Sequence, residues 1–266
     1  MMKRLLVLVF TGLGSLTLLA AEQVNNPSQS DLSRYKDNGC VECHSRLTEP
    51  LSVSNRFLEW HLSKHGEKGV SCDKCHGGDA ATSDKQKAHA GVTKSTRTES
   101  KLFPAKQPET CQSCHEPVVK SFLQSDHFNK LKTAGLGPSC NTCHIHMATK
   151  VIYSPSETAE LCSQCHNAIN FLPPRPEIPV QAAEVMSAFQ RANGVINWAK
   201  LLLAEGARMG LSLKSEQEEL KLAETALTEA KTGWHAFELA NTRKKADEAF
   251  IAASKVKEAL RKKIIR

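Results

Sequence analysis

Three stretches of the chain carry a hydrophobic pattern, and each predicts a different element. Leu5 to Ala20 is apolar and uncharged, preceded by Met1-Met2-Lys3-Arg4 and followed by Ala21 and polar Glu22-Gln23. A basic start, a short apolar stretch and a small-residue end predict a Sec leader over 1–21, cleaved after Ala20 or Ala21. The rival reading is a retained membrane anchor, but the stretch is short of the about 20 apolar residues a span requires and contains Gly12 and Gly14. Far downstream, Val185, Phe189, Ala192, Ile196, Ala199 and Leu203 recur at the three-and-four spacing of a helix face. Leu220, Ala223, Leu227, Ala230, Trp234 and Phe237 form a second stripe, and Ala246, Phe250, Ala253, Val256, Leu260 and Ile264 a third.

From Phe237 to Ala246 the register slips by half a turn at ~100° per residue. A turn near Asn241-Thr242 is expected, giving three antiparallel helices. The alternative is one long helix that meets different partners along its length, including a second subunit in a homodimer. Gly206 and Gly210 are expected to end the first helix. Ser215-Glu216-Gln217-Glu218 has the pattern of a capping box for the second. Pro173, Pro174, Pro176 and Pro179 mark a stiff linker over 173–179, ahead of a helical segment over 180–266. Between leader and linker, secondary structure is expected to be sparse: short helices with loops between them.

That middle region carries the chemistry. Cys-x-x-Cys-His occurs five times, at Cys40-Cys43-His44, Cys72-Cys75-His76, Cys111-Cys114-His115, Cys140-Cys143-His144 and Cys162-Cys165-His166. All ten cysteines fall inside these motifs. This is the attachment signature of c-type haem: two thiols bond the vinyl groups, and the adjacent histidine becomes the first axial ligand of the iron. Zinc ribbons and redox dithiols also use Cys-x-x-Cys, but neither needs a histidine at one offset five times over. The expected cofactor is five covalently attached haem c. A haem-filled core also accounts for the aromatic content of only 5%, because porphyrin replaces the aromatic bulk that such a core otherwise needs. The fold class expected is mainly α, a multihaem domain over 22–172 plus the C-terminal three-helix segment.

The haem region repeats. Phe57-Leu58-Glu59, Ser63-Lys64-His65 and Ser71-Cys72 follow the first motif; Phe122-Leu123-Gln124, Ser125-Asp126-His127 and Ser139-Cys140 follow the third. One more histidine follows the second motif of each unit, His89 or His146. A duplicated two-haem module plus a fifth haem results. Of eleven histidines, five belong to motifs, leaving His61, His65, His89, His127, His146 and His235. Bis-histidine ligation of five haems needs five of these. The repeat selects His65, His127, His89 and His146, and His235 completes the set. His61 lies on the same helix face as His65, and the Ser-x-His match favours His65. The residues leave open which distal histidine serves which haem.

The formal charge of +7 falls by two when Lys3 and Arg4 leave with the leader. Two propionates per haem then make the holoprotein net negative, so the basic balance is no sign of nucleic-acid binding, and no nucleic-acid module is recognisable. Export, with haem c attached outside the bacterial cytoplasm, predicts a periplasmic protein, in contact with the membrane only if its leader is retained.

The string of Cys-x-x-Cys-His, Phe, Ser-x-His and Ser-Cys-x-x-Cys-His, closed by a helical tail carrying His235, resembles the multihaem c-cytochromes related to hydroxylamine oxidoreductase, octahaem tetrathionate reductase and pentahaem nitrite reductase. The resemblance covers about residues 40 to 260. It implies closely stacked haems along which electrons hop. Pentahaem nitrite reductases carry Cys-x-x-Cys-Lys at one haem, whereas all five motifs here end in histidine. The function expected is therefore an electron carrier of anaerobic respiration, between a quinol dehydrogenase or cytochrome donor and a terminal reductase or outer-membrane acceptor. The alternatives are a reductase of a small nitrogen or sulfur oxyanion with one open haem, and a membrane-tethered quinol-oxidising subunit.

Overall fold

A computed structural model describes residues 32–146, 150–169 and 174–265. The expected leader and its cleavage site lie outside them. The described residues form helices and no strand, and no helix among them is long and apolar enough to cross a membrane.

The first part is a string of short helices: α1 (Gly39–His44), α2 (Leu51–His61), α3 (Lys64–Glu67), α4 (Cys72–His76), α5 (Lys85–Ala88), α6 (Gln107–Leu123), α7 (Asp126–Ala134), α8 (Cys140–His144) and α9 (Pro155–Ser163). Most are too short to persist alone, and their own apolar core is small. Tyr35, Val41 and Trp60 form one buried cluster with Phe57 against it. Tyr35 and Trp60 meet edge to face at 5.0 Å. The Tyr35 hydroxyl and Trp60 indole donate to the carbonyls of Gly66 (2.9 Å) and Val70 (2.8 Å), which ties α2 and α3 together.

The second part is a three-helix bundle of α10 (Ile178–Arg208), α11 (Lys214–Gly233) and α12 (Leu239–Ile264). Val185, Ala188, Phe189, Ala192, Ile196 and Ala199 of α10 pack against Leu220, Ala223, Leu227 and Ala230 of α11. Ala246, Ala249, Ala253, Val256 and Leu260 of α12 complete the core. The three stripes expected from the sequence are these faces. Alanine lines much of α10 and α12, so the two helices approach closely, since interaxial distance follows side-chain size.

The helix ends differ from expectation in four places. Pro179 is not in a linker: it is buried in the first turn of α10, where a missing N–H costs nothing. Gly206 does not end α10. It lies inside the helix, where a Cβ would meet Leu213 Cδ1 at 2.7 Å, so its bareness seats that leucine; Gly210, at φ +75°, makes the turn. The capping box at Ser215 does not form. Leu213 occupies the N-cap position of α11, and Ser215 bonds Glu219 from within the helix at 3.3 Å. The break between α11 and α12 falls before Asn241: Trp234–Ala236 is a 3-10 turn and Phe237 is left-handed at φ 60°. The turn is early because its aromatic side chains point two ways. Trp234 packs on Phe189 of the bundle (6.3 Å), while Phe237 meets Phe122 of α6 (6.4 Å). The bundle is docked to the cysteine-rich part through this turn, and α9 also packs on α10.

Candidate haem sites

Each motif is built on a single helical turn, which places residues i, i+3 and i+4 on one face. Both thiols and the imidazole of a motif thus point the same way. α1, α4 and α8 are little more than the motif itself. Asn38 caps α1 by accepting from Val41 N (3.1 Å), and Ser139 caps α8 in a reciprocal box with Thr142. The third motif lies within α6, which kinks at His115 (φ −111°, ψ 37°) ahead of Pro117. The fifth straddles the end of α9, where His166 N bonds the Cys162 carbonyl at 2.8 Å. Gly39 carries α1 against the 79–82 loop: its N–H donates to Ala80 O at 2.7 Å, and a Cβ there would lie 2.1 Å from Thr82 O.

The Ser-x-His repeat has a physical basis. Ser63 caps α3 and Ser125 caps α7 with the same bonds. Each hydroxyl donates to a carbonyl three residues back (Trp60 or Phe122, both 2.7 Å) and accepts the N–H three residues on (Gly66 or Phe128, both 3.1 Å). His65 and His127 therefore leave their helices from the same position in the first turn. This geometry corrects the sequence alignment in one respect: the counterpart of Phe122 is Trp60, not Phe57.

The histidines come together in four measured pairs, each joining a motif histidine to one of the predicted distal residues. Ring centroids lie 6.1 Å apart for His44 and His89, 6.0 Å for His115 and His65, 6.2 Å for His144 and His235, and 5.8 Å for His166 and His127. For His76, burial lowers the pKa, with His146 as the next cause and His44 after it, so both lie within electrostatic range of its ring. With a metal–nitrogen bond of about 2.0 Å and ~1 Å from nitrogen to centroid, two imidazoles on opposite sides of one iron have centroids ~6 Å apart. The spacing fits an iron between each measured pair. His61 instead stacks on Phe57 at 6.3 Å and 6°.

The back nitrogens of several rings are already engaged. Nδ1 faces a carbonyl in His89 (Lys85 O, 2.8 Å), His144 (Lys150 O, 3.1 Å) and His235 (Thr232 O, 3.3 Å), and a carboxylate in His146 (Glu59 Oε2, 3.0 Å). An N–H held at Nδ1 leaves Nε2 as the free lone pair for a metal. Burial pulls the His127 pKa down to about 4, helped by His166, and lowers those of His44, His115, His166 and His235. Neutral imidazole is the form that ligates.

The cysteines show how the motifs are ordered. Burial pushes the Cys72 thiol up to about 12, with Cys40 beside it adding to the effect. Cys75 is raised by burial and then by Cys111 and Cys114. Cys111 and Cys140 share a hydrogen bond that raises the Cys111 thiol. Burial raises Cys143 to about 11, with Cys162 and Cys165 next to it. Motifs next to one another in the sequence thus lie within electrostatic range of each other, first with second, second with third, third with fourth and fourth with fifth, so the five form a file in chain order. Thiols with pKa values raised in this way are poor nucleophiles and poor redox dithiols. Among the described residues, no three or more His, Cys, Asp or Glu side chains cluster as a bare metal-ion site.

Gly137 holds the strand of chain that returns from α7 to α8. A Cβ there would lie 2.0 Å from the His127 carbonyl oxygen and 2.7 Å from Leu131 N. Gly137→Ala is expected to push the first turn of α7 aside, costing about 1–3 kcal/mol as overpacking does. It should also broaden the absorption and EPR signals of the haem next to His127. Thermal melting with both spectra checks this; an unchanged melting point and unchanged spectra would show the contact to be relieved without moving α7.

Comparison with known proteins gives a consistent picture. The family model described as "Cytochrome c554 and c-prime" matches residues 15–77, which include the first two motifs. The C-type polyheme cytochrome OmcB of Geobacter sulfurreducens is 30% identical over 120 residues, covering 41% of this chain. OmcC of the same organism is 30% identical over 117 residues, again 41% of this chain. The chain spans 14% of the length of each of these relatives. No solved structure matches significantly.

Proposed function

We propose that this chain, a multihaem c-type cytochrome with covalently attached haem, is a periplasmic five-haem electron carrier rather than an enzyme. The observation that carries this reading is the pairing of four motif histidines with a second histidine, which leaves His146 for His76. The haems, when bound, supply one-electron chemistry.

Everything else is the work of the chain. Cys40, Cys43, Cys72, Cys75, Cys111, Cys114, Cys140, Cys143, Cys162 and Cys165 anchor the five groups. His44, His76, His115, His144 and His166 would hold the irons together with His89, His146, His65, His235 and His127 respectively. With two imidazoles each, the irons would have no position left for substrate and would keep a low potential relative to a histidine–methionine pair. The file of motifs gives the carrier two ends, at the first and fifth motifs. Short-lived docking of a quinol dehydrogenase or cytochrome donor and a reductase or outer-membrane acceptor belongs there, steered by charge. The stacked-haem arrangement of the hydroxylamine oxidoreductase group, export by the leader and pairing of two copies through the C-terminal helices belong to the same proposal.

Film voltammetry of the holoprotein tests it. Five one-electron waves are expected, unchanged by nitrite, hydroxylamine or tetrathionate. A catalytic current with any of them would favour the second reading, a reductase with one open haem.

A further inference from the structure

Glu59 sits behind one candidate ligand in a way no neutral group does. Its Oε2 accepts from His146 Nδ1 at 3.0 Å. The carboxylate is itself held by Arg56, whose Nη1 donates to Oε1 at 2.7 Å and Oε2 at 2.8 Å. Arg56 and Glu59 lie one turn apart on α2, so the helix fixes the clamp. The hydrogen bond spans the fold, from α2 near the first motif to the residue just beyond α8. By contrast, the Nδ1 atoms of His89, His144 and His235 face backbone carbonyls.

We propose that Glu59 is a positioning residue that fixes the His146 ring and lowers the potential of the haem anchored by Cys72 and Cys75. The inference rests on the reading of His146 as the ligand opposite His76. A carboxylate that accepts from the back nitrogen of a ligating imidazole draws the N–H proton toward itself and makes Nε2 the better donor. Ferric iron carries one more positive charge than ferrous iron, so stronger donation and the nearby negative charge both favour the oxidised form. A carbonyl partner gives a weaker version of the same effect, because charge-assisted hydrogen bonds are about twice as strong as neutral ones. Arg56 keeps the carboxylate aimed at His146. This haem is thereby set below those backed by carbonyls, and it lies near the first-motif end of the file.

The test is a potentiometric titration of the intact holoprotein, followed by EPR, for the wild type and Glu59→Gln. Glutamine still accepts the hydrogen bond but carries no charge. One haem is expected to shift upward, about tenfold in its reduction equilibrium, which for one electron is about 59 mV, with the other potentials unmoved and all iron still low spin. Unmoved potentials, or an equal shift in every haem, would overturn the proposal. His146→Met separates this from failure of the underlying reading. If His146→Met changes one haem while Glu59→Gln changes none, His146 is a ligand and the tuning is wrong. If His146→Met leaves every haem signal unchanged, the ligand assignment itself is wrong. In the His146→Met background Glu59→Gln should shift nothing; a persisting shift would mean the carboxylate acts only as a distant surface charge.

Discussion

His235→Ala is expected to turn one haem from low spin to high spin and to open one coordination position to cyanide or carbon monoxide. The His235 ring is stacked 6.2 Å from His144 at 15°, and burial depresses its pKa. It is held from behind by the Thr232 carbonyl. Alanine removes the imidazole and supplies no ligating atom in its place. With attachment proposed through Cys140 and Cys143, the haem is expected to stay bound. One equivalent of high-spin ferric signal and one equivalent of cyanide bound would bear the assignment out. Unaltered low-spin spectra and no cyanide binding would remove His235 from the ligand set. The same variant should loosen the bundle's hold on the first part of the chain, because His235 lies in the turn that docks on α6.

The second large effect is expected from His127→Met. Axial ligands set haem potentials over about 0.8 V, and methionine opposite histidine raises them. A rise on the order of 0.1–0.3 V for one haem is expected, with haem content unchanged. The site suits the substitution. His127 is packed edge to face on Phe237 at 4.2 Å, and a thioether makes favourable contacts with aromatic rings. A redox titration read by absorption checks it: an unchanged titration would mean that the iron next to His166 is held by another residue. Because Ser125 fixes the first turn of α7 independently of the side chain at 127, a change confined to one haem reports ligation rather than misfolding.

The ligand candidates were legible in the sequence for different reasons. His65 and His127 could be found because Ser-x-His is a helix-capping pattern, and capping is local. His89 and His146 follow from the repeat, each being the one further histidine after the second motif of its unit, yet their surroundings differ. His89 lies 6.1 Å from His44 of the first motif, whereas His146 is hydrogen-bonded to Glu59 of α2. His235 lies beyond any repeat, and the count of histidines singles it out, because five irons need a fifth partner. The pairings were not legible, because a distal ligand answers to where helices pack and not to spacing along the chain. The ordered file of motifs was hidden for the same reason.

The C-terminal helices were legible as faces but not as ends. A helix face is set by a period of 3.6, which the stripes carry in many residues at once. The end of a helix is set by one or two residues whose role depends on tertiary contacts. Gly206 reads as a terminator until Leu213 packs on it. Ser215 reads as a cap until Leu213 is buried at the position where the cap would stand. Asn241 reads as the turn until Phe237 is drawn out of the helix toward Phe122 and His127. Glu59 could not have been selected at all, because its partner lies across the fold.

The most direct test of five bis-histidine haems is the EPR spectrum of the purified, fully oxidised holoprotein, quantified against its haem content by mass. Low-spin ferric signals alone, summing to five irons, are the expected result. A stoichiometric high-spin signal would contradict it, showing that one of the five histidine pairs does not close on its iron and that the protein keeps a site open to substrate.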